Sequence, residues 1–427
     1  MNSLRERLVR LLRWSEKYTK TDMLYLTKGG FWLSIGSFVS GATSFILSLA
    51  FANLLPQTAY GVYKYVLSVA STINSFTLTG LETAVIEAVA RGKEGVLRQA
   101  FFKNLKWSIP ASLGAVVIGL YYFVNGNSTL GISLFLIAFI QPLTTSAALA
   151  AAFLNGKKAF QVTAGYYAVN NILPAASLLL VMSVSSSALH VILAYFAANL
   201  VSAAGLYLYV NSRFAPGNEQ DQTAMTYGKH LSLMNVISNV ADNLDKILAF
   251  QLLGAAPLAV YSFALALPSQ SKLLTKALST LMFPRFAERS AEELRQGMGQ
   301  KTLRFFLLGL AMAVGYILIA PFVFRLIYPQ YMDAVLLSQI YAVSFLAMAA
   351  APMGLYLSAK RRVRAQYFIN VFMSIFQVLA VLAGIALAGL LGLMLSRVAS
   401  RFMGAFLSAY FYFTDRNDDI AEPSVNP

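Results

Sequence analysis

Nine ionisable side chains stand inside stretches that are otherwise apolar: Glu82, Glu87, Asp242, Asp245, Lys246, Lys272, Lys276, Arg397 and Arg401. A charge at the centre of a bilayer costs at least ~2.5–3.5 kcal/mol on insertion scales, so such residues turn towards a bundle interior or an aqueous cavity. Lys272 and Lys276 are one helical turn apart, as are Arg397 and Arg401. Like charges on one helix face repel each other unless an anion or acids lie opposite. Counted along a helix from the outer surface, Lys272 lies ~20 Å deep and Arg401 ~14 Å deep, both near mid-membrane. The chemistry that Lys272, Arg401 and Lys246 offer together is recognition of a phosphate or diphosphate. Lys276 and Arg397 belong to the same set, with snorkelling to the nearer interface as the competing assignment.

The acids suit a different task. Asn235, Asn239, Asp242 and Lys246 recur with helical spacing and form one polar stripe. Asp242 and Lys246 are four residues apart, so they are either a structural ion pair or two cavity groups. An ionised carboxylate beside the cations competes with a bound anion, and a protonated or ion-bound one does not. Asp242, Asp245 and Glu82 are therefore the candidates for coupling to H+ or Na+. Glu87 lies close to a helix end and is placed to pair with Arg91. No cofactor or metal site is expected. The chain has no cysteine, and its two histidines, His190 and His230, lie far apart in sequence.

The elements that must carry these residues are membrane spans. Of the 427 residues 58% are hydrophobic and only 12% charged, whereas soluble domains are roughly 45–50% apolar and about 25% charged. Apolar stretches of about twenty residues, enough to cross a ~30 Å hydrocarbon core, fall near 31–53, 65–89, 107–124, 130–154, 160–183 and 188–210. A second set follows near 232–253, 259–282, 305–324, 335–357, 367–387 and 392–413. With the N-terminus inside, only Lys64 and Arg325 of the 33 Lys and Arg fall in outside loops, and five lie within spans. Every other one is cytoplasmic, which is the positive-inside pattern rather than a nucleic-acid groove. Residues 1–28 form a basic cytoplasmic segment without the apolar core of a cleavable signal. It is either a helix lying on anionic membrane lipids or a plain topogenic tail. The tail 414–427 returns to the cytoplasm. Pro268 removes a backbone hydrogen bond in span 8 and marks a bend.

The second six spans echo the first at a constant offset. Leu54-Leu55 followed by Val62-Tyr63 recurs as Leu252-Leu253 followed by Val260-Tyr261, and Gly30 and Arg91 match Gly228 and Arg289. The polar stripe of span 7 corresponds to Ser37, Gly41, Ser44 and Ser48 in span 1. This predicts a bundle at 29–210, a linker at 211–231 and a bundle at 232–413, with the substrate site between the halves near the midplane. None of the three Gly-Lys pairs has the glycine and Ser/Thr that make a phosphate-binding loop, so no ATPase is expected in the chain.

Lys28-Gly29-Gly30-Phe31-Trp32, the stretch from Ala50 through Leu54-Leu55-Pro56 to Tyr60-Gly61-Val62-Tyr63, and Thr79-Gly80-Leu81-Glu82 resemble the start of polysaccharide-transporter flippases. That family belongs to the superfamily of multidrug exporters and lipid II flippases. In place of the glycine common in the family's first loop this chain has Pro56. The resemblance implies an all-α polytopic membrane protein of twelve helices, two six-helix bundles in a V-shaped MATE-like fold. It implies alternating access and translocation of undecaprenyl-diphosphate-linked oligosaccharide across the cytoplasmic (inner) membrane for cell-surface polysaccharide. A multidrug or cation-coupled exporter is the alternative within the superfamily; it would be expected to carry an acid in span 1, which has none. An integral-membrane glycan polymerase or ligase would place its catalytic work in a large outside loop, and no such loop is present, so no enzyme is expected.

Overall fold

A computed structural model describes residues 23–217 and 219–414. The basic segment 1–28 is therefore described only from residue 23, and the tail beyond 414 lies outside the described residues. So do the side chains of 23–38 and several in later helices, Asn235, Lys272 and Lys276 among them. Every described element is a helix. In chain order they are α1 (Met23–Leu54), α2 (Gln57–Ser75), α3 (Leu81–Ala90), α4 (Val96–Trp107), α5 (Ile109–Val124), α6 (Ser128–Gly156), α7 (Phe160–Val184) and α8 (Ala188–Phe214). There follow α9 (Gln222–Leu253), α10 (Ala255–Ala266), α11 (Ser271–Glu288), α12 (Ala291–Gln296), α13 (Met298–Ile327), α14 (Ala334–Ala342), α15 (Ala351–Ala359) and α16 (Val363–Thr414), with short 3₁₀ turns between some of them.

Among the described residues, seven stretches are long and apolar enough by themselves to cross a membrane. The others depart from that simple form for local reasons. Predicted span 2 is broken between α2 and α3, and span 8 at Pro268, which opens a 3₁₀ turn between α10 and α11. A proline lacks the N–H that a continuous helix needs there. Span 7, within α9, is interrupted by Asp242, Asp245 and Lys246. Spans 11 and 12 lie in one helical run, α16, folded back at Ala388 (φ −145°) and Gly389 (φ +55°). The positive φ is a conformation that glycine adopts at no steric cost. Outward faces carry large apolar side chains such as Leu113, Val117, Leu318 and Phe322, as a lipid-facing surface requires.

The chain divides into two compact units. One takes the chain up to Leu54 together with Ile73–Asn235; the other takes Leu55–Thr72 with Val236 onward. The exchanged piece is α2, with the loop before it. In the first unit, Leu81, Ala84 and Val85 of α3 pack on Val96, Leu97 and Ala100 of α4 and on residues 149–154 of α6. Asp221 caps α9 by accepting from the Ala224 N–H at 3.0 Å, and its other oxygen lies 3.0 Å from Lys93 Nζ. That hydrogen bond, and then Lys93, hold its carboxyl below the usual carboxylate range. Glu87 pairs with Arg91 at 3.2 Å, as its position at the helix end suggests.

In the second unit the two echoed segments meet. Gly61 lies so close to Ala255 that a Cβ there would overlap the Ala255 carbonyl. Around that contact Tyr60 packs on Phe263 (centroids 4.8 Å) and Phe263 on Tyr331 (3.9 Å). Tyr65 stacks on Phe250 and receives a hydrogen bond from Gln251 at 2.7 Å. The first-half echo thus packs against its second-half counterpart, which is why α2 groups with this unit. Lys64, read from sequence as a loop residue, is half-buried on α2 with its ammonium 5.3 Å from the Tyr60 ring centroid.

Candidate functional site

The second unit holds an open cavity of about 500 Å³, within the size range of small-molecule sites. Its wall comes from several elements. Asp242 projects from α9; Ser271 and Thr275 from the start of α11; Tyr341 from α14; Gln377, Arg397, Ser400 and Arg401 from the two arms of α16. The remaining side is the 3₁₀ stretch Val343–Ala350, which contributes Ser344, Phe345 and Met348. Pro352 follows one residue after that stretch ends, and a proline there leaves no donor for the carbonyl of Met348 in α-helical register. The tightened turn sits directly on the cavity.

The two arms of α16 are held together closely. Gly384 and Gly392 face each other with no room for a Cβ at either. Ser396 donates to the Ala380 carbonyl at 2.6 Å, bridging the arms. The next residue, Arg397, is thereby pressed into the unit: its side chain is 13% exposed and its Nε lies 3.5 Å from Asp245 Oδ2. The Asp245 carboxylate is fully buried and also accepts from the Tyr261 hydroxyl at 2.6 Å. Asp245, Arg397 and Tyr261 form one buried network. Burying an ion pair is tolerable only when such additional hydrogen bonds satisfy its remaining lone pairs.

The snorkelling assignment for Arg397 does not hold: it points into the unit, at an acid. Of the two alternatives for Asp242 and Lys246, no contact within salt-bridge distance joins them among the described residues. Lys246 is half-buried, and its backbone N–H donates to Asp245 at 2.8 Å. Asp242 is exposed on the cavity wall.

Arg401 differs from Arg397 although both line the cavity. It is exposed, pairs with no acid among the described residues, and donates from Nη2 to the Tyr341 hydroxyl at 3.3 Å. Arg397 is neutralised from behind by Asp245, so Arg401 is the described cation whose charge is available to a ligand. The Lys272 and Lys276 side chains lie outside the described residues, although Ser271 and Thr275 beside them reach the wall. Glu82 is not part of this arrangement. It belongs to the first unit, where it is exposed on α3 and close enough to Tyr167 for an electrostatic interaction.

Sequence reasoning missed Tyr261, Tyr341 and Gln377. Gln377 is visible as one of two amides, with Asn370, in the apolar run 367–387, and it donates to the Ala241 carbonyl at 2.8 Å, tying α16 to α9. Tyr261 lies in the echoed segment, but nothing in its spacing points to Asp245, sixteen residues away.

The cavity, walled by polar and charged groups, thus lies in a largely apolar, all-helical structure with seven stretches able to cross a membrane among the described residues. A family model described as "polysaccharide biosynthesis protein" matches residues 26–290, and the chain belongs to that family. No curated protein sequence is similar enough to count as a relative. Solved structures share the fold. A multidrug resistance MATE family transporter of the MOP superfamily, inward-facing, is 13% identical with a TM-score of 0.61, over 91% of this chain and 98% of that one. The lipid II flippase MurJ, inward closed, is 10% identical with a TM-score of 0.61, over 88% and 86%. A MOP superfamily transporter from Pyrococcus furiosus, described as having a binding pocket of reverse polarity, is 13% identical with a TM-score of 0.56, over 92% and 95%. At these identities the likeness carries the fold, a multi-pass, all-α membrane fold of the MATE type.

Proposed function

We propose that this protein translocates a polyprenyl-diphosphate-linked oligosaccharide across the cytoplasmic membrane by alternating access, in the synthesis of a cell-surface polysaccharide. Arg401 carries this reading: on the wall of a cavity in a chain of the polysaccharide biosynthesis family, its guanidinium pairs with no acid among the described residues. A guanidinium engages phosphate oxygens through two parallel hydrogen bonds, and does so most strongly where water is excluded. Lys272, Lys276, Lys246 and Arg397 are the further cations proposed for the head group. Alternating access opens the site to each side in turn while the lipid tail stays in the bilayer.

Asp242 has the role of resetting the site. Ionised, it attracts the neighbouring cations and competes with the diphosphate; protonated or occupied by Na+, it releases them. The test is translocation in proteoliposomes containing a short-chain polyprenyl-diphosphate oligosaccharide, read by access of a membrane-impermeant glycosidase. Protein-dependent exposure of glycan is the expected result, and exposure no faster than in protein-free vesicles overturns the reading. In the same vesicles an imposed H+ or Na+ gradient is expected to change the wild-type rate and to leave Asp242→Asn unaffected. A mutant that responds like wild type removes Asp242 from coupling.

Topology follows the positive charge, with both termini and 283–304 inside. Because the chain has no cysteine, a single cysteine at Asn127, in the turn between α5 and α6, reports cleanly. It is expected to react with an impermeant maleimide in intact cells. Reaction only after permeabilisation inverts the assignment.

A further inference from the structure

Outside the cavity, α4 carries a cluster of cations that no described acid pairs with. This helix buries Val96, Leu97, Ala100 and Asn104 in the first unit. Its other face carries two adjacent rows at helical spacing: Arg98, Phe102 and Lys106, and beside them Gln99, Lys103 and Trp107. Together with Gln220 these residues, Trp107 excepted, line an open groove of about 530 Å³. No acid lines it, and none of Arg98, Lys103 or Lys106 pairs with an acid among the described residues. Of the acids nearby, Glu94 is engaged by Lys157 and Asp221 by Lys93 and Arg91, while Glu219, packed at Gly95 beside Gln220, is exposed and does not line the groove. Lys229 closes one end, 4.7 Å from the Trp107 ring centroid and near enough to Lys103 for the two charges to repel.

This cluster sits where α4 passes into the apolar helix α5, whose Ile109, Leu113 and Val117 are exposed in continuation of the same surface. Cations interleaved with Phe102 and Trp107 directly above an apolar face make the pattern of a membrane–water interface. There aromatic rings lie at headgroup depth and Lys or Arg stems reach up to the phosphates. A soluble acidic partner would use the cations and leave the exposed Phe102, Trp107 and Ile109 facing water. We propose that the α4 groove binds the phosphate headgroup of an anionic glycerophospholipid, with Arg98, Lys103 and Lys106 contacting the phosphate and the acyl chains running along α5. Lys229 stays on Trp107 and holds that ring at the edge of the site. The site is separate from the cavity of the second unit.

Trp107 reports on the groove directly. The chain has three tryptophans, so replacing Trp14 and Trp32 with Phe leaves Trp107 as the sole emitter in the full-length protein. Reconstituted at equal lipid fractions, acyl-brominated phosphatidylglycerol is expected to quench Trp107 with about fivefold higher apparent affinity than brominated phosphatidylcholine, as ~1 kcal/mol of headgroup attraction gives. Arg98→Gln/Lys103→Gln/Lys106→Gln is expected to abolish that preference, and the triple Arg98→Lys/Lys103→Arg/Lys106→Arg exchange to retain it, which separates lost charge from lost folding. Equal quenching by the two lipids in the intact groove, or a preference that survives charge removal, overturns the proposal. Relief of quenching by millimolar inorganic phosphate assigns the groove to a free anion, and equally overturns the lipid.

Discussion

Replacing Arg401 with Ala is expected to abolish export of the lipid-linked glycan while protein abundance in the membrane stays near wild type. The two halves of that expectation come from one geometry. Arg401 is exposed on the cavity wall, and its described polar partner is the Tyr341 hydroxyl, at 3.3 Å. Removing it leaves no buried charge behind, so the folding cost is that of a surface substitution, about 0.5 kcal/mol. The binding cost is larger. A hydrogen bond to a charged group contributes ~1.5–3 kcal/mol, about ten- to a hundredfold in affinity. Arg401→Lys keeps the charge but loses the planar fork, and an intermediate rate is expected. The measurement is surface glycan in a strain whose own flippase is deleted, normalised to membrane-inserted protein. Full complementation by Arg401→Ala removes the residue from the site. The same variant separates the runner-up function, because an exporter of cationic compounds has no use for an unpaired guanidinium and would keep or improve its activity.

Much of the architecture is legible in the sequence because a bilayer imposes simple rules. Span-length apolar runs report helices, and the echo of Leu54-Leu55 in Leu252-Leu253 marks two segments of like sequence. The one-turn spacing of Arg397 and Arg401 puts them on one helix face, and both line the cavity. What periodicity does not carry is partnership across elements. Asp242, not Asp245, shares a stripe with Lys246, so helical spacing singles out the wrong acid for pairing. The structure pairs Asp245 with Arg397, more than 150 residues away in sequence, through packing between Gly384 and Gly392 that no local pattern announces. The grouping of α2 with the second unit was illegible for the same reason. It depends on Gly61 meeting Ala255, and the echo between those segments reveals their likeness but not their contact.

Arg397→Ala is expected to fail differently from Arg401→Ala, by losing the protein before losing transport. Its removal leaves the Asp245 carboxylate buried with the Tyr261 hydroxyl and the Lys246 N–H as its hydrogen-bond donors among the described residues. Breaking one side of a buried pair costs ~3–5 kcal/mol, because the surviving charge is uncompensated. That is a large part of the 5–15 kcal/mol by which native proteins exceed their unfolded states. Asp245→Asn alone is expected to destabilise similarly, leaving Arg397 unpaired with the cavity as its only source of anions. The double variant Asp245→Asn/Arg397→Gln removes both charges and retains groups able to hydrogen-bond Tyr261, so the two losses should not add. A coupling energy of ~1–3 kcal/mol in favour of the double variant is expected, the range seen for residues in one network. Thermal unfolding in detergent measures it, with abundance in membranes as the cellular readout. Additive losses would mean that the pair contributes nothing as a pair and that each residue acts elsewhere. If the double variant regains stability, its transport decides the remaining point. Restored export makes the network a scaffold that aims Arg401, whereas stable but inactive protein makes the Arg397 guanidinium a ligand for the diphosphate in its own right.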